Sequence, residues 1–401
     1  MTNVAILGFG VVGGGVARLL TENKKETLAI CGDEINIKYI LDLRDFPDSP
    51  FADRVIHDYS LIVNDSEIDT VIEVMGGSHP AYEYTVAALK AGKNVITSNK
   101  EVVANFGDEF LRLAKENGVS YRFEAAVGGG IPVISPIIGC VRHNKISEVR
   151  GILNGTTNYI LTKMFTLGDS FEDSLKDAQA RGYAERNPDA DILGTDASRK
   201  IAILAALATG NLTSPDLIPT EGITGIRAED VKAADSIGHR IKLLGRCIIP
   251  EEGQPYVMVA PFLLPDSSPL SGVCGVFNAV EVVGDPIGNV MFYGPGAGAG
   301  STASAVVGDL MQIMCSGTKC ATPVFNKSTL DARERVESFS CRTYLAFETS
   351  VANKVREAFD NPTELDTAGE LAIITNEMTE AELDARLAAI GASPLSRIRF
   401  L

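Results

Sequence analysis

An apolar run, Val4-Ala5-Ile6-Leu7, enters the spacing Gly8-Phe9-Gly10-Val11-Val12-Gly13, and a helix-forming stretch follows to Leu20. No other part of the chain restricts its fold as much. In such a strand–turn–helix unit the first glycine permits the tight turn, the second lets backbone approach a pyrophosphate, and the third lets helix pack on strand. The phosphates then lie against free N–H groups at the helix N-terminus, where the dipole favours negative charge. A glycine triplet alone is weak evidence; its place between a strand and a helix is what carries the reading.

Four more strands are expected, over Ile37–Leu41, Thr70–Met75, Asn94–Thr97 and Tyr121–Glu124. Helical stretches near Pro80–Ala91 and Phe106–Asn117 separate the later ones, while residues 23–36 read as a polar insertion. Alternation of this kind predicts a doubly wound parallel sheet of the Rossmann type over residues 1–135. Asp42 ends the second strand, where a carboxylate accepts from a ribose hydroxyl and favours NAD. Arg44 suits a 2′-phosphate instead, so the cofactor is read as NAD(P). Two loops leave the carboxyl ends of strands, where ligands of open α/β sheets bind: Met75-Gly76-Gly77-Ser78 and Thr97-Ser98-Asn99-Lys100.

Charge and cysteine usage narrow the remaining classes. A formal net charge of −16 leaves no basic stripe for nucleic acid. Seven scattered cysteines without a C-x-x-C pair point to free thiols in a reducing compartment, not to a disulfide frame or zinc site. The opening strand leaves no room for a signal peptide, and no apolar run approaches the roughly 20 residues a bilayer requires. The expected location is cytoplasmic.

Beyond residue 135 the chain reads as an α+β substrate and dimerisation domain, to about residue 300. Glu124-Ala125-Ala126-Val127-Gly128-Gly129-Gly130-Ile131-Pro132 reads as a strand ending in tight bends. One carboxylate and several carbonyls there suit a hard cation; a simple crossover between domains is the alternative. Val149–Asn158 is a strand running into small polar residues, Asn154 and Thr156 among them, with a helix from Tyr159. Gly182–Lys200 begins as an acidic loop holding Glu185 and Asp191, and becomes a helix near Thr195. Asp196 and Lys200, four apart, leave one face of that helix. Tyr256–Leu264, Val276–Val283 and Asn289–Tyr293 alternate as antiparallel strands. The loop Tyr293–Thr302, with Gly298, offers backbone N–H groups to the nucleotide and begins a return helix at about 301–325.

Taken together, the motifs at 8–13, 97–100, 124–132, 151–158 and 182–200 resemble those of the homoserine dehydrogenase family over residues 1 to about 325. The resemblance implies reversible hydride transfer between L-homoserine and L-aspartate 4-semialdehyde with NAD(P), in threonine, methionine and isoleucine biosynthesis. Carried over by position, Lys200 resembles the lysine of proton transfer, Asp196 its partner, and Lys100 the second active-site lysine. Glu185 resembles the group that takes the substrate amine, with Asn154, Thr156 and Asp191 beside the substrate. The glycine loop Gly8–Gly13, Arg44, Gly76, Thr97, Lys100, Gly182 and Gly298 fall to the cofactor. A monovalent cation, typically sodium, falls to Glu124, Val127, Gly129 and Ile131. Family members are commonly dimers through the substrate domain.

Residues 331–401 read as β-α-β-α-β and resemble a shortened ACT domain. Its usual acidic-glycine turn is replaced by Glu348-Thr349-Ser350-Val351-Ala352, which points to a structural or interface role instead of threonine sensing. Two rival readings exist. An acylating semialdehyde dehydrogenase needs a nucleophilic cysteine, for which Cys140 with His143 is the nearest candidate. A nucleotide- and amino-acid-binding regulator needs no turnover at all.

Overall fold

The computed structural model describes residues 1–316, 322–367 and 369–401. They divide into two compact units. The first holds Met1–Lys145, Ile203–Ser214 and Gly294–Ser328; the second holds Ile146–Ala202, Pro215–Tyr293 and Thr329–Leu401.

In the first unit, β1 (Thr2–Leu7), β2 (Ile35–Leu41), β3 (Val55–Ile56), β4 (Thr70–Glu73), β5 (Asn94–Thr97) and β6 (Tyr121–Arg122) form one sheet. All pairs are parallel and the order is β3-β2-β1-β4-β5-β6. That is the doubly wound order whose reversal point lies between β1 and β4. Val4, Ala5, Ile6 and Leu7 are wholly buried, as a central parallel strand covered on both faces must be. The helix Val11–Glu22 lays Val16, Ala17 and Leu20 into the same core as Val306, Leu310 and Ile313 of the helix Ala299–Ser316. Burying each of the valine, leucine and isoleucine side chains contributes about 1.5–3 kcal/mol. The return helix expected at 301–325 is described from Ala299 to Ser316, and residues 317–321, on which most of the rest of that expectation falls, lie outside the described residues.

Local capping moves several boundaries. The polar stretch 23–36 forms the helix Lys24–Cys31, closed by Gly32 at φ 72°. The helix expected from Phe106 begins at Lys100, because the Asn99 side chain accepts from the Glu101 and Val102 N–H groups. The strand expected through Glu124 stops at Arg122; Ala125–Gly128 is a helical turn instead.

The second unit is built on β7 (Lys145–Ile152), β8 (His239–Ile248), β9 (Tyr256–Pro265), β10 (Phe277–Asp285) and β11 (Gly288–Pro295). It continues through β12 (Thr343–Glu348), β13 (Thr363–Leu365), β14 (Glu370–Ile374) and β15 (Ser396–Phe400). The order is β11-β10-β7-β8-β9-β15-β12-β14-β13. The central pair, β8 and β9, runs antiparallel from Tyr256↔Ile248 to Pro265↔His239. The helix Thr195–Thr209 presses on β8 at Gly245, where a Cβ would come within 2.6 Å of Leu153 and 3.0 Å of Ile201. Only glycine permits that approach.

The tail is one sheet with the rest of this unit. β15 runs parallel to β9, with Phe262 opposite Arg399. The strand Thr363–Leu365, absent from the sequence reading, turns β-α-β-α-β into β-α-β-β-α-β. The helix Glu380–Ile390 carries the expected capping box between Thr379 and Glu382. Buried polar contacts fasten the tail: Asp230 accepts from Ser396 and from the Tyr344 hydroxyl, and Arg399 pairs with both Glu380 and Glu221.

Candidate active site

The glycine loop has the shape its spacing requires. Gly8 adopts φ 93°, and at Gly13 a Cβ would lie 2.0 Å from the Gly8 carbonyl oxygen. At Gly10 nothing lies within 4 Å of a Cβ position, so the backbone faces open space at the helix N-terminus. Val11 is exposed there, whereas Val12 packs against the core. A cleft of about 460 Å³ adjoins the loop, lined among others by Gly8, Gly10, Asp42, Arg44, His57 and Gly76. Asp42 accepts the Phe9 N–H at 2.8 Å and two guanidinium N–H groups of Arg44 at 3.0 Å each. These contacts hold its carboxyl well below the usual range, the Arg44 bonds foremost. His57, which the sequence reading passed over, bonds the Asp42 carbonyl through Nδ1 at 2.7 Å. An open glycine turn, free backbone and a fixed acid–arginine pair fit a dinucleotide. Gly298, at φ 132°, lies just before the helix Ala299–Ser316.

The sequence reading also missed Glu73. Its carboxylate accepts the Met75 N–H at 2.8 Å and the Thr97 hydroxyl at 2.5 Å. It thereby ties together the two loops that hold Gly76 and Lys100. Lys100 itself opens the helix behind Thr97 and Asn99. A glutamate closing the apolar strand Thr70-Val71-Ile72-Glu73 was the available signal. Burial raises the Glu73 carboxyl to about 7. An acid raised above its unfolded value of 4.5 binds its proton more tightly when folded. Stability is therefore expected to fall as pH rises from about 4.5 to 7, by on the order of 3 kcal/mol. Glu73→Gln should flatten that slope in chemical denaturation measured at pH 5 and pH 8. An unchanged slope would remove Glu73 as its source.

The segment 124–132 is a buried bend. Gly129 turns at φ 57°, and a Cβ there would lie 2.3 Å from the Gly296 carbonyl oxygen. Both Glu124 carboxylate oxygens are engaged, accepting N–H groups of Val133, Ile134 and Ser135 at 2.7–2.8 Å. The Glu124 N–H in turn donates to Asp309 at 2.8 Å. Val127 and Ile131 are buried beside it. No group of three or more His, Cys, Asp or Glu side chains suited to a metal occurs among the described residues. Any cation here would depend mainly on backbone carbonyls, with Glu124 organising the bend.

In the second unit, the ends of β7 and of two helices converge. Lys200 Nζ lies 2.8 Å from Asp196 Oδ2 and donates to the Leu153 carbonyl at 2.7 Å. Asn154 Nδ2 donates to Asp191 at 2.7 Å and to Asp196 at 3.0 Å. Its Oδ1 accepts the Thr157 N–H, so Asn154 caps a helix that begins at Gly155, not at Tyr159. Thr156 donates to the Tyr183 carbonyl at 2.7 Å. Burial, together with the neighbouring Asp196 charge, raises the Asp191 carboxyl, against the Asn154 bond that lowers it. Asp196 and Lys200 are 5% and 8% exposed. A surface pair at i,i+4 is worth only a few tenths of a kcal/mol, but this pair is buried and further hydrogen-bonded. Glu185 and Gly182 stand apart on the exposed loop; Gln179 holds the Glu185 carbonyl at 3.1 Å, and the Glu185 carboxylate has no bond among the described residues. Cys140 lies exposed in the turn Ile137–Val141, and no hydrogen bond joins it to His143. That removes the nucleophile–base contact an acylating enzyme would need.

Known proteins resemble this chain in sequence and fold. Residues 8–124 match the family model "Homoserine dehydrogenase, NAD binding domain", and residues 132–311 match "Homoserine dehydrogenase". The homoserine dehydrogenase of Bacillus subtilis (strain 168) is 36% identical over 94% of this chain and 92% of its own length. That of Lactococcus lactis is 42% identical over 78% of this chain and 74% of its own. A crystal structure of a homoserine dehydrogenase from Thiobacillus denitrificans superposes with a TM-score of 0.89 at 34% identity, over 100% of this chain and 98% of that one. The parallel six-stranded unit, the mixed-sheet unit and these relatives place the chain in the homoserine dehydrogenase family, NAD(P)-dependent oxidoreductases that act on a hydroxyl group.

Proposed function

We propose that Lys200 carries the proton and Asp196 aims it as L-homoserine and L-aspartate 4-semialdehyde interconvert. The buried Lys200–Asp196–Asn154 network carries this reading. When bound to the loop Gly8–Gly13, NAD(P) supplies the hydride in one direction and accepts it in the other. As the aldehyde is reduced, its oxygen gains negative charge, and an ammonium held in low dielectric stabilises that charge and donates to it. Asp196 and the Leu153 carbonyl take up two directions around Nζ and leave a third for substrate. Asn154 keeps Asp196 and Asp191 in register. Glu185, exposed on its loop, receives the substrate ammonium; Thr156 and Asp191 are assigned to the substrate, and Lys100 is assigned as the second active-site lysine.

Carbonyl oxygens of Val127, Gly129 and Ile131 around Glu124 would hold a sodium-like ion, a hard cation suited to oxygen donors. The exposed edge strand β11, with Met291 and with Tyr293 stacked on Phe277 at 5.2 Å, supports a homodimer through the second unit. Six described cysteines are free thiols, in keeping with a cytoplasmic location. No described helix is long and apolar enough to cross a membrane.

NAD(P)H absorbance followed with homoserine at alkaline pH tests the reaction; no turnover with either nucleotide would leave only a binding protein. Asp42 sets the cofactor in the same assay. Asp42→Ser is expected to raise KM for NAD about tenfold, the loss of one charged hydrogen bond, and to lower KM for NADP. Parallel changes in both would remove Asp42 from the choice.

A further inference from the structure

A second cavity, of about 540 Å³, lies in the second unit beside the far end of the helix Gly155–Leu167. Leu161, Phe165, Val231 and Ile241 supply apolar walls, and Lys242 and Arg240 supply charge. Lys242 stands mid-strand in β8 and is 3% exposed. Its Nζ donates to the Val273 carbonyl at 2.6 Å and to Asn158 Oδ1 at 3.0 Å. Both acceptors are neutral, and none of the ion pairs among the described residues includes Lys242. Arg240 lies over the Phe165 ring at 3.4 Å from its centroid and is paired with Asp266 at 2.9 Å. The cavity therefore holds two cations against one carboxylate, in a chain of net charge −16.

A buried ammonium with no counter-charge is costly, and an arriving anion offsets that cost. Burial lowers Lys242 to about 8, with the Arg240 charge acting the same way and Cys274 acting against both. A third N–H of the ammonium remains after the two observed bonds. Apolar walls around one buried charge are the composition of a small-ligand pocket, and the volume lies within the usual range for one. We propose that this cavity is a second ligand site, which takes a small monocarboxylate with an apolar body and pairs its carboxylate with Lys242. The site is separate from the Lys200 network and does not depend on the catalytic roles assigned there. Asn158 links it to the helix that Asn154 caps, one turn away.

Isothermal titration of the intact protein with 4-methylpentanoate tests the site, with 4-methylpentanamide, L-leucine and inorganic phosphate as comparison probes. Saturable binding of the carboxylate is expected, at least about tenfold tighter than the amide, a ratio equal to about 1.4 kcal/mol. Lys242→Met should abolish that preference. Because a core substitution can impair folding, Thr166→Trp provides a second test: Thr166 is an exposed residue at the cavity wall, and its replacement should block entry. Alkylation of the exposed thiol of Cys274, which lines the same cavity, should slow when 4-methylpentanoate is present. L-leucine binding as tightly as the carboxylate would extend the site to amino acids and uphold the pairing. Phosphate binding as tightly, equal binding of the amide, or undiminished binding by both variants would overturn it.

Discussion

Lys200→Ala is expected to lower kcat by about a thousandfold, the scale of a lost general acid–base group, while NAD(P) affinity stays nearly constant. Every assigned nucleotide contact except Gly182 lies in the first unit, whereas Lys200 bonds Asp196 and Leu153, both in the second. The substitution also removes a charged partner of a carboxylate that is 5% exposed. Stability should therefore fall, by on the order of 3 kcal/mol. The Asn154 N–H still reaches Asp196 at 3.0 Å and limits the loss. Thermal unfolding reads this structural effect separately from turnover. Lys200→Arg sharpens the test, because a guanidinium keeps the charge but does not release its proton. Both variants should be slow, and only the alanine variant should be markedly unstable. Turnover within about tenfold of the parent in either folded variant would exclude Lys200 as the proton carrier.

Gly13→Ala and Gly14→Ala are expected to differ sharply although the residues are neighbours on one helix. At Gly13 the new methyl would stand 2.0 Å from the Gly8 carbonyl oxygen, a backbone atom that cannot swing away. The turn must open, with an overpacking cost of about 3 kcal/mol, and the nucleotide Kd should rise at least about tenfold. At Gly14 nothing lies within 4 Å of the same methyl. That exchange should leave nucleotide binding intact and raise stability by up to about 1 kcal/mol, the helix preference for alanine over glycine. Fluorescence titration with NADH and unfolding curves for the pair would settle it. Equal losses in both variants would mean that the Gly8–Gly13 contact does not shape the cradle.

How legible these features were depended on how far along the chain their partners lie. Gly8, Gly10 and Gly13 are read correctly because a strand, a turn and a helix within twenty residues make their own context. The spacing of Asp196 and Lys200 likewise holds, since i,i+4 geometry is a property of any helix. The strand β8 escaped notice although its 10 residues equal β9 in length. Lys242 in its middle interrupts an apolar pattern that the tertiary fold alone accommodates. The bend at Glu124 was read as a strand for a related reason. Its conformation is set by N–H groups nine to eleven residues on and by Asp309, 185 residues away.

The chain's order of residues determined by itself the dinucleotide cradle, the family and the acid–lysine pair, because each rests on contacts within a few turns. Tertiary structure alone decided that Asn154 would bind two acids 37 and 42 residues distant, that Glu73 would join two loops, and that the tail would extend the larger sheet. Side-chain chemistry states what a group can bond, but only packing fixes which of many distant groups arrives within 3 Å once water has been excluded.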